Sequence, residues 1–287
     1  MKFRKGIGKI NMGNYKVIID LGELGWSLYL SAYCLWLKEH GFDTMVFTYP
    51  DRTPLFKDRA DYIFCHNEET INKYSGCIQD GTGFRKVDGK DIKKYYQKFV
   101  PKGFEIPDDF KLGCFWFFRN QSIYKPYKIE NKIEGNKRIL IFPRYRRGDD
   151  VEYRNLPEGI YQELVQELCG NYPNRIITVC GSKNGTYRLK CSHPNFDDRI
   201  GQAETIQDLI DLCGNAIFAM GGTSAPPKIS LLQGVPTYII GHEKYRFTVE
   251  ENWMKTKVWF DEIKKEDYPN ISISGCVGKI MEAVRCL

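Results

Sequence analysis

Twice along this chain of 287 residues, an apolar run leads through a tight turn into a helix-patterned segment and out into another apolar run. That alternation restricts the fold more than any other feature. Parallel strands need a crossover element between them, and both faces of the resulting sheet must then be covered. The first series opens with a strand over Tyr15–Asp20 and turns through Leu21-Gly22-Glu23-Leu24-Gly25. It continues as a helix over Ser27–His40, ended by Gly41, and returns as a strand over Thr44–Tyr49, stopped by Pro50. Tyr62–Cys65 adds a third strand. The second series is longer. Strands are expected at Arg138–Pro143, Arg175–Cys180, Ala216–Met220 and Pro236–Gly241, with helices at Pro157–Cys169, Ile206–Cys213 and Pro227–Gln233 between them. Both series read as α/β layers, whose ligands bind beyond the carboxyl ends of the strands.

Between about 66 and 130 the periodicity weakens. A helix is expected at Asp91–Phe99, and Gly113–Phe118 reads as a strand or a buried hydrophobic loop. Tyr127–Asn136 is polar with alternating charge, as a linker would be. The expected division is a first domain over 1–130, a second over 131–272, and a terminal segment over 273–287 whose helix, Gly278–Cys286, packs back across both. With 42% apolar residues, the chain can bury a real core without disulfide staples. Its ten cysteines form no CxxC pair, and several lie inside apolar runs such as Ile176–Cys180, so buried reduced thiols and a cytoplasmic location are expected. The opening residues Met1–Gly6 lack the apolar stretch of a signal peptide, and no apolar run reaches membrane-spanning length. A net charge of +6 suits an anionic ligand or peripheral contact with a membrane face. No basic block is dense enough for a nucleic-acid arm, so nucleic acid is not an expected partner.

Several residues could carry chemistry. Gly221-Gly222-Thr223-Ser224 lies between a strand and a helix start, where small residues let the backbone approach a phosphate. Such turns also need glycine for purely local reasons. Arg144, Arg146 and Arg147 follow another strand end and can fork onto phosphate oxygens, unless they merely pair with Asp149 and Asp150 in a solvated loop. Arg154 offers a further cation. Glu23, in the first strand-to-helix turn, could take a proton from an attacking hydroxyl; equally, it could be a helix-start glutamate favoured by the macrodipole. The histidines at 40, 66, 193 and 242 show no metal spacing, and the serine elbow, the dinucleotide fingerprint and the phosphate-binding P-loop patterns are absent.

The order of motifs over about 140–245 resembles the C-terminal domain of the glycosyltransferase family 9 heptosyltransferases, which have the GT-B fold. The residues that carry the resemblance are Ile139–Pro143, Arg154-Asn155-Leu156-Pro157, Cys180-Gly181-Ser182, Arg199-Ile200-Gly201-Gln202, Thr223–Lys228 and Gly234-Val235-Pro236-Thr237. In the N-terminal half, Gly22-Glu23 stands where the family carries Gly-Asp. The family's loop Asp and His fall on Thr223 and Lys228, so heptose is not carried over as the donor sugar. The Arg146-Arg147-Gly148-Asp149 run also resembles the Arg-Arg-x-Asp motif of GT-B-like fucosyltransferases.

The resemblance implies two Rossmann-like domains facing a cleft and a glycosyltransferase, inverting and metal-independent, with Asp149-Asp150 leaving a metal open. Its partners would be a nucleotide-sugar donor and a glycan or glycoconjugate acceptor, with no cofactor. Glu23 would be the base. Arg144, Arg146, Arg147, Arg154, Gly181, Ser182, Gly222, Thr223, Ser224 and Lys228 would hold the donor. A sugar-nucleotide epimerase of the same fold, or a binding module that has lost the chemistry, would share most of these features.

Overall fold

A computed structural model describes residues 14–74, 77–78, 85–86, 88–112, 121–135, 137–146, 154–242, 246, 249 and 256–287. The chain divides into two compact units, Met1–Tyr124 and Lys125–Leu287.

The first unit is built on β1 (Tyr15–Ile19), α1 (Leu24–Glu39), β2 (Asp43–Thr48), α2 (Thr53–Phe56), β3 (Tyr62–Cys65), α3 (Glu68–Tyr74), α4 (Gly89–Tyr96) and β6 (Lys111–Leu112). The short strands β4 (Cys77–Ile78) and β5 (Arg85–Lys86) pair with each other. The main sheet has the order β3-β2-β1-β6, with all neighbours parallel. Val17, Ile19, Met45, Phe47 and Phe64 form one core with Ile92 and Tyr96 of α4. Helix α1 begins three residues before the expected start, because Glu23 already has extended N-cap geometry and the first turn accepts Gly25. Its end is as the glycine predicts. Gly41 has φ +79, its N–H bonds the Lys38 carbonyl, and the Phe42 N–H reaches back to Leu37, the double bond of a Schellman motif.

The second unit contains β7 (Arg138–Phe142), α5 (Glu158–Asn171), β8 (Ile176–Gly181), β9 (Phe196–Ile200), α6 (Ile206–Gly214), β10 (Ala216–Gly222), α7 (Ala225–Leu232), β11 (Thr237–Gly241), β12 (Val258–Glu262) and α8 (Ile273–Arg285). The sheet order is β12-β11-β10-β7-β8-β9, all parallel. Counted within the unit this is the doubly wound order 3-2-1-4-5-6, in which the chain reverses direction across the sheet between β7 and β10. Every residue of β7 and β11 is buried, as strands covered on both faces require. Ile139, Ile141, Ile177, Val179, Phe218 and Met220 pack into a core with Tyr161, Leu164 and Leu168 of α5 and with Val277, Ile280 and Met281 of α8.

The stretch read as a linker is instead docked on the second unit. Tyr127 N–H donates to Gln233 Oε1 at 2.7 Å, Glu130 and Asn131 N–H groups donate to the Asp211 carboxylate at 2.9 and 3.0 Å, and Ile133 N–H donates to Asn215 Oδ1 at 2.7 Å. Its polarity serves these bonds. Helix α8 starts earlier than expected, at a Ser272 side chain that caps the Gly275 N–H, and it packs on α5. Strands β9 and β12 were not anticipated: they are edge strands whose sequences, FDDRI and VWFDE, have their apolar runs interrupted or cut short by charged residues. The expected Gly113–Phe118 element lies outside the described residues.

Candidate functional site

At the point where the strand order reverses, the loops leaving neighbouring strands turn to opposite faces of the sheet and open a crevice beyond the carboxyl edge. In the second unit that point lies between β7 and β10. Pro143–Arg146 leaves β7, and Gly221–Ser224 ends β10. Arg154 ties the two connections together: its Nη2 donates to the Thr223 carbonyl at 2.9 Å. The glycines make this approach feasible. A Cβ on Gly221 would fall 2.9 Å from Pro227 Cγ and 3.0 Å from Phe142 Cβ, and one on Gly222 would fall 3.3 Å from the Arg154 carbonyl oxygen.

The loop after β7 is fixed from two sides. Arg146 N–H donates to Asn155 Oδ1 at 3.0 Å, and Asn155 Nδ2 donates to the Arg146 carbonyl at 2.6 Å. Tyr145 N–H donates to the Gly185 carbonyl and Tyr187 N–H to the Pro143 carbonyl, both at 2.9 Å, so the turn after β8 lies alongside. Gly181 ends β8 where a Cβ would sit 2.2 Å from Thr186 Oγ1. The structure therefore brings Arg144, Arg146, Arg154, Gly181, Ser182, Gly222, Thr223 and Ser224 to one edge of one sheet. Arg144 and Arg154 are half-buried, while Arg146 and Ser182 are exposed. Arg147, Asp149 and Asp150 lie outside the described residues.

The start of α7 departs from the expectation of a phosphate-binding helix end. Ser224 is its N-cap, but Pro226 and Pro227 occupy the first turn and carry no N–H. The helix dipole remains, yet two of the first three amide donors are missing. Two polar residues flank the prolines. Lys228, the fourth residue of α7, is only 8% exposed, and Thr223 is 2% exposed. Thr223 Oγ1 is buried with no hydrogen-bond partner among the described residues, although its carbonyl is bound by Arg154. A buried hydroxyl left unmet costs about 1–3 kcal/mol, which a ligand oxygen placed there would recover.

In the first unit, the order β3-β2-β1-β6 puts the corresponding reversal beside β1, and Leu21-Gly22-Glu23 leaves its carboxyl end. Glu23 is half-buried, and its side chain does not cap α1. Beneath this turn lies a polar cluster that sequence reasoning missed. Asp20 is fully buried, accepts from Thr48 Oγ1 at 2.7 Å through Oδ2, and faces Arg52 Nη1 at 3.6 Å through Oδ1. Burial pushes its carboxyl upward, against the pull of Arg52 and of the Thr48 hydrogen bond. His66 is 5% exposed and burial lowers it to about 4. Tyr96 and the Asp20 carbonyl lie at its two ring nitrogens, at 3.2 and 2.8 Å, which suits a neutral ring that accepts from the tyrosine through Nδ1 and donates to the carbonyl through Nε2. The signal available in the sequence was Asp20, a charge directly after the apolar run Val17-Ile18-Ile19.

Among the described residues, no group of three or more metal-ligating side chains comes together, and no helix is long and apolar enough to cross a membrane. Sequence comparison finds no matching family model and no matching curated protein. Structure comparison does find similar folds. A glycosyl transferase family 9 protein from Veillonella parvula aligns over 96% of this chain and 97% of its own, with a TM-score of 0.60 at 9% identity. The E. coli heptosyltransferase WaaC, solved with ADP, aligns over 93% and 99%, with a TM-score of 0.60 at 6% identity. TibC of enterotoxigenic E. coli H10407, described as an iron-containing dodecameric glycosyltransferase, aligns over 96% and 78%, with a TM-score of 0.51 at 12% identity. The chain thus has the α/β GT-B fold of the heptosyltransferase-like family 9 glycosyltransferases.

Proposed function

We propose that this protein is a glycosyltransferase that moves a sugar from a nucleoside-diphosphate donor to a hydroxyl of a glycan or glycoconjugate acceptor. The observation that carries the reading is the convergence at the β7/β10 reversal. There, Arg154 is bonded to the Thr223 carbonyl beside a buried, unmet Thr223 hydroxyl, with the buried Lys228 in the next helix turn. That set suits a diphosphate, which needs cations and hydrogen-bond donors at one place. The WaaC structure, with the same fold, contains ADP.

In this mechanism Thr223, Ser224 and Lys228 meet the diphosphate, with Arg144, Arg146, Arg147 and Arg154 contributing positive charge and Gly181-Ser182 and Gly222 allowing close approach. Glu23 accepts the proton of the acceptor hydroxyl. The acceptor oxygen then bonds to the anomeric carbon as the bond from that carbon to the diphosphate breaks. Attack opposite the leaving group inverts the configuration. Negative charge grows on the departing diphosphate, and the lysine and arginines stabilise it. Cations in these roles would carry that charge without a resident metal or other cofactor. The cysteines Cys34, Cys169, Cys180, Cys213 and Cys276 are buried and free, which supports a reducing, cytoplasmic setting. Peripheral contact with a membrane face would follow if the acceptor is lipid-linked.

The two prolines that open α7, together with Thr223 and Lys228 in place of the family's Asp and His, favour a second reading as a nucleotide-binding module without turnover. Calorimetric titration with ADP, UDP and GDP, followed by donor turnover with the sugar nucleotide of whichever binds, separates the two. Binding lost in Arg154→Ala together with measurable turnover supports the transferase. Tight binding with no turnover supports the module, and no binding of any diphosphate sinks both.

A further inference from the structure

The three peptide carbonyls that lead into Glu23 are each held by a different side chain. His66 Nε2 lies 2.8 Å from the Asp20 carbonyl oxygen, Tyr49 Oη donates to the Leu21 carbonyl at 3.0 Å, and Arg52 Nη1 donates to the Gly22 carbonyl at 2.6 Å. Ordinary strand-to-helix turns leave such carbonyls to water or to neighbouring backbone, since side-chain donors for three in succession must come from several separate segments. Here Tyr49 and Arg52 come from the segment after β2, and His66 from the end of β3.

The donors are themselves fixed. The Arg52 guanidinium lies over the Tyr49 ring at 3.9 Å, and its Nη1 also donates to Ser27 Oγ at 2.9 Å in the first turns of α1. The same nitrogen faces the buried Asp20 carboxylate, whose other oxygen is bonded to Thr48. His66 packs edge-on to Tyr49 and bonds Tyr96 of α4. The far side of the turn is closed by Trp26, whose Cβ would lie 2.9 Å from a Cβ on Gly22.

We propose that His66, Tyr49 and Arg52 form a three-point clamp on the Asp20-Leu21-Gly22 backbone, and that Arg52 is a positioning residue for the Glu23 carboxylate. The role assigned to the carboxylate rests on the transferase reading; the clamp itself does not. Glu23 follows the third held carbonyl directly, so each clamp bond removes freedom from the backbone that aims it. A catalytic group must stay within a fraction of an ångström of its working position, and a rigid backbone is the usual way to hold it there.

The test uses the full chain with four substitutions. Tyr49→Phe removes one hydroxyl and keeps the ring. Arg52→Lys keeps the charge opposite Asp20 and loses the stacked plane, and Arg52→Gln removes the charge as well. Glu23→Gln reports the base. Amide exchange by mass spectrometry is followed in peptides covering residues 20–27 and, as an internal reference, in β7 and β10. Turnover is followed with whichever of ADP-, UDP- and GDP-glucose the wild type hydrolyses fastest. Loss of one clamp bond should speed exchange at residues 21–26 by about two- to tenfold, with the reference peptides unchanged. It should lower kcat by a similar factor with KM for the donor unchanged, and Arg52→Lys should fall between wild type and Arg52→Gln.

Exchange at residues 21–26 equal to wild type would overturn the clamp. Faster exchange with unchanged kcat, in a protein whose Glu23→Gln form is slow, would overturn the positioning role. No turnover by the wild type, or full turnover by Glu23→Gln, would remove the base assignment and the positioning role with it. The exchange data would still decide the clamp.

Discussion

Glu23 stands at the N-cap of α1 with extended backbone geometry and a side chain that does not cap the helix. Replacing it with Gln should lower turnover by roughly 10²–10⁴-fold, the ordinary contribution of a general base, while calorimetric affinity for the nucleotide stays the same. Equal loss of both would remove it from that role. Arg154→Ala should weaken nucleotide diphosphate binding by about tenfold or more, since charge-assisted bonds are worth roughly 1.5–3 kcal/mol. Unchanged affinity in a titration would exclude the site. His66 makes a different prediction. It stays neutral in the fold down to about 4, whereas the unfolded chain binds its proton near 6.5. Its contribution to stability is therefore complete above pH 6.5 and declines as the pH falls from there towards 4, by roughly 3 kcal/mol in all. Asp20, raised by burial, acts with the opposite sign. The measurement is thus a difference: denaturant midpoints of wild type minus His66→Gln should change with pH in that window and be flat above it.

Helix α7 shows how an element can keep the place of a phosphate-binding helix while changing its donors. Its first turn holds Pro226 and Pro227, so its amides give little to an anion, and Lys228 and the Thr223 hydroxyl lie close by. Pro226→Ala restores one N–H near the helix start, and Pro226 is half-buried, so the change is accommodated. Affinity for a nucleotide diphosphate should rise severalfold in a titration if the diphosphate sits at that end, and no change would place it elsewhere. The elements that carry these groups were largely legible. Gly41 ended α1 as expected, and the apolar runs at 138–142, 176–180 and 216–220 are strands. Edge strands β9 and β12 were not legible, because charged residues break the apolar run of one and shorten that of the other to three residues. The segment 127–133 misled for a related reason. Its polar backbone is satisfied by Gln233, Asp211 and Asn215, which lie 80 or more residues away in sequence.

As a whole molecule, the chain is two parallel-sheet units, each with its own core. The cations assigned to the donor belong to the second unit and the proposed base to the first. A nucleotide diphosphate without sugar or acceptor should therefore protect amides of the second unit at 142–146, 154–156 and 221–228, and leave those of β1 and α1 nearly unchanged in an exchange experiment. Protection confined to the first unit would reverse the assignment of donor and acceptor. At a ligand concentration of 100 times Kd, the native state gains about 2.7 kcal/mol, enough to be seen as a shift in the unfolding transition of the second unit.

Local pattern alone determined the alternation of strand and helix, the glycine-bearing turns at their ends, and the candidate cations beside them, because each depends on neighbours within a few residues. Tertiary structure decided which strand ends are adjacent. The order β12-β11-β10-β7-β8-β9 sets Arg154 against Thr223, 69 positions apart, and leaves the Thr223 hydroxyl buried and unmet. It also set Tyr49, Arg52 and His66 against the carbonyls of residues 20–22, a contact no spacing rule could show, since the donors arrive from the segment after β2 and from the end of β3. Chain pattern specifies elements through short-range sterics and solvation, whereas sites arise where the sheet's pairing order brings distant ends together.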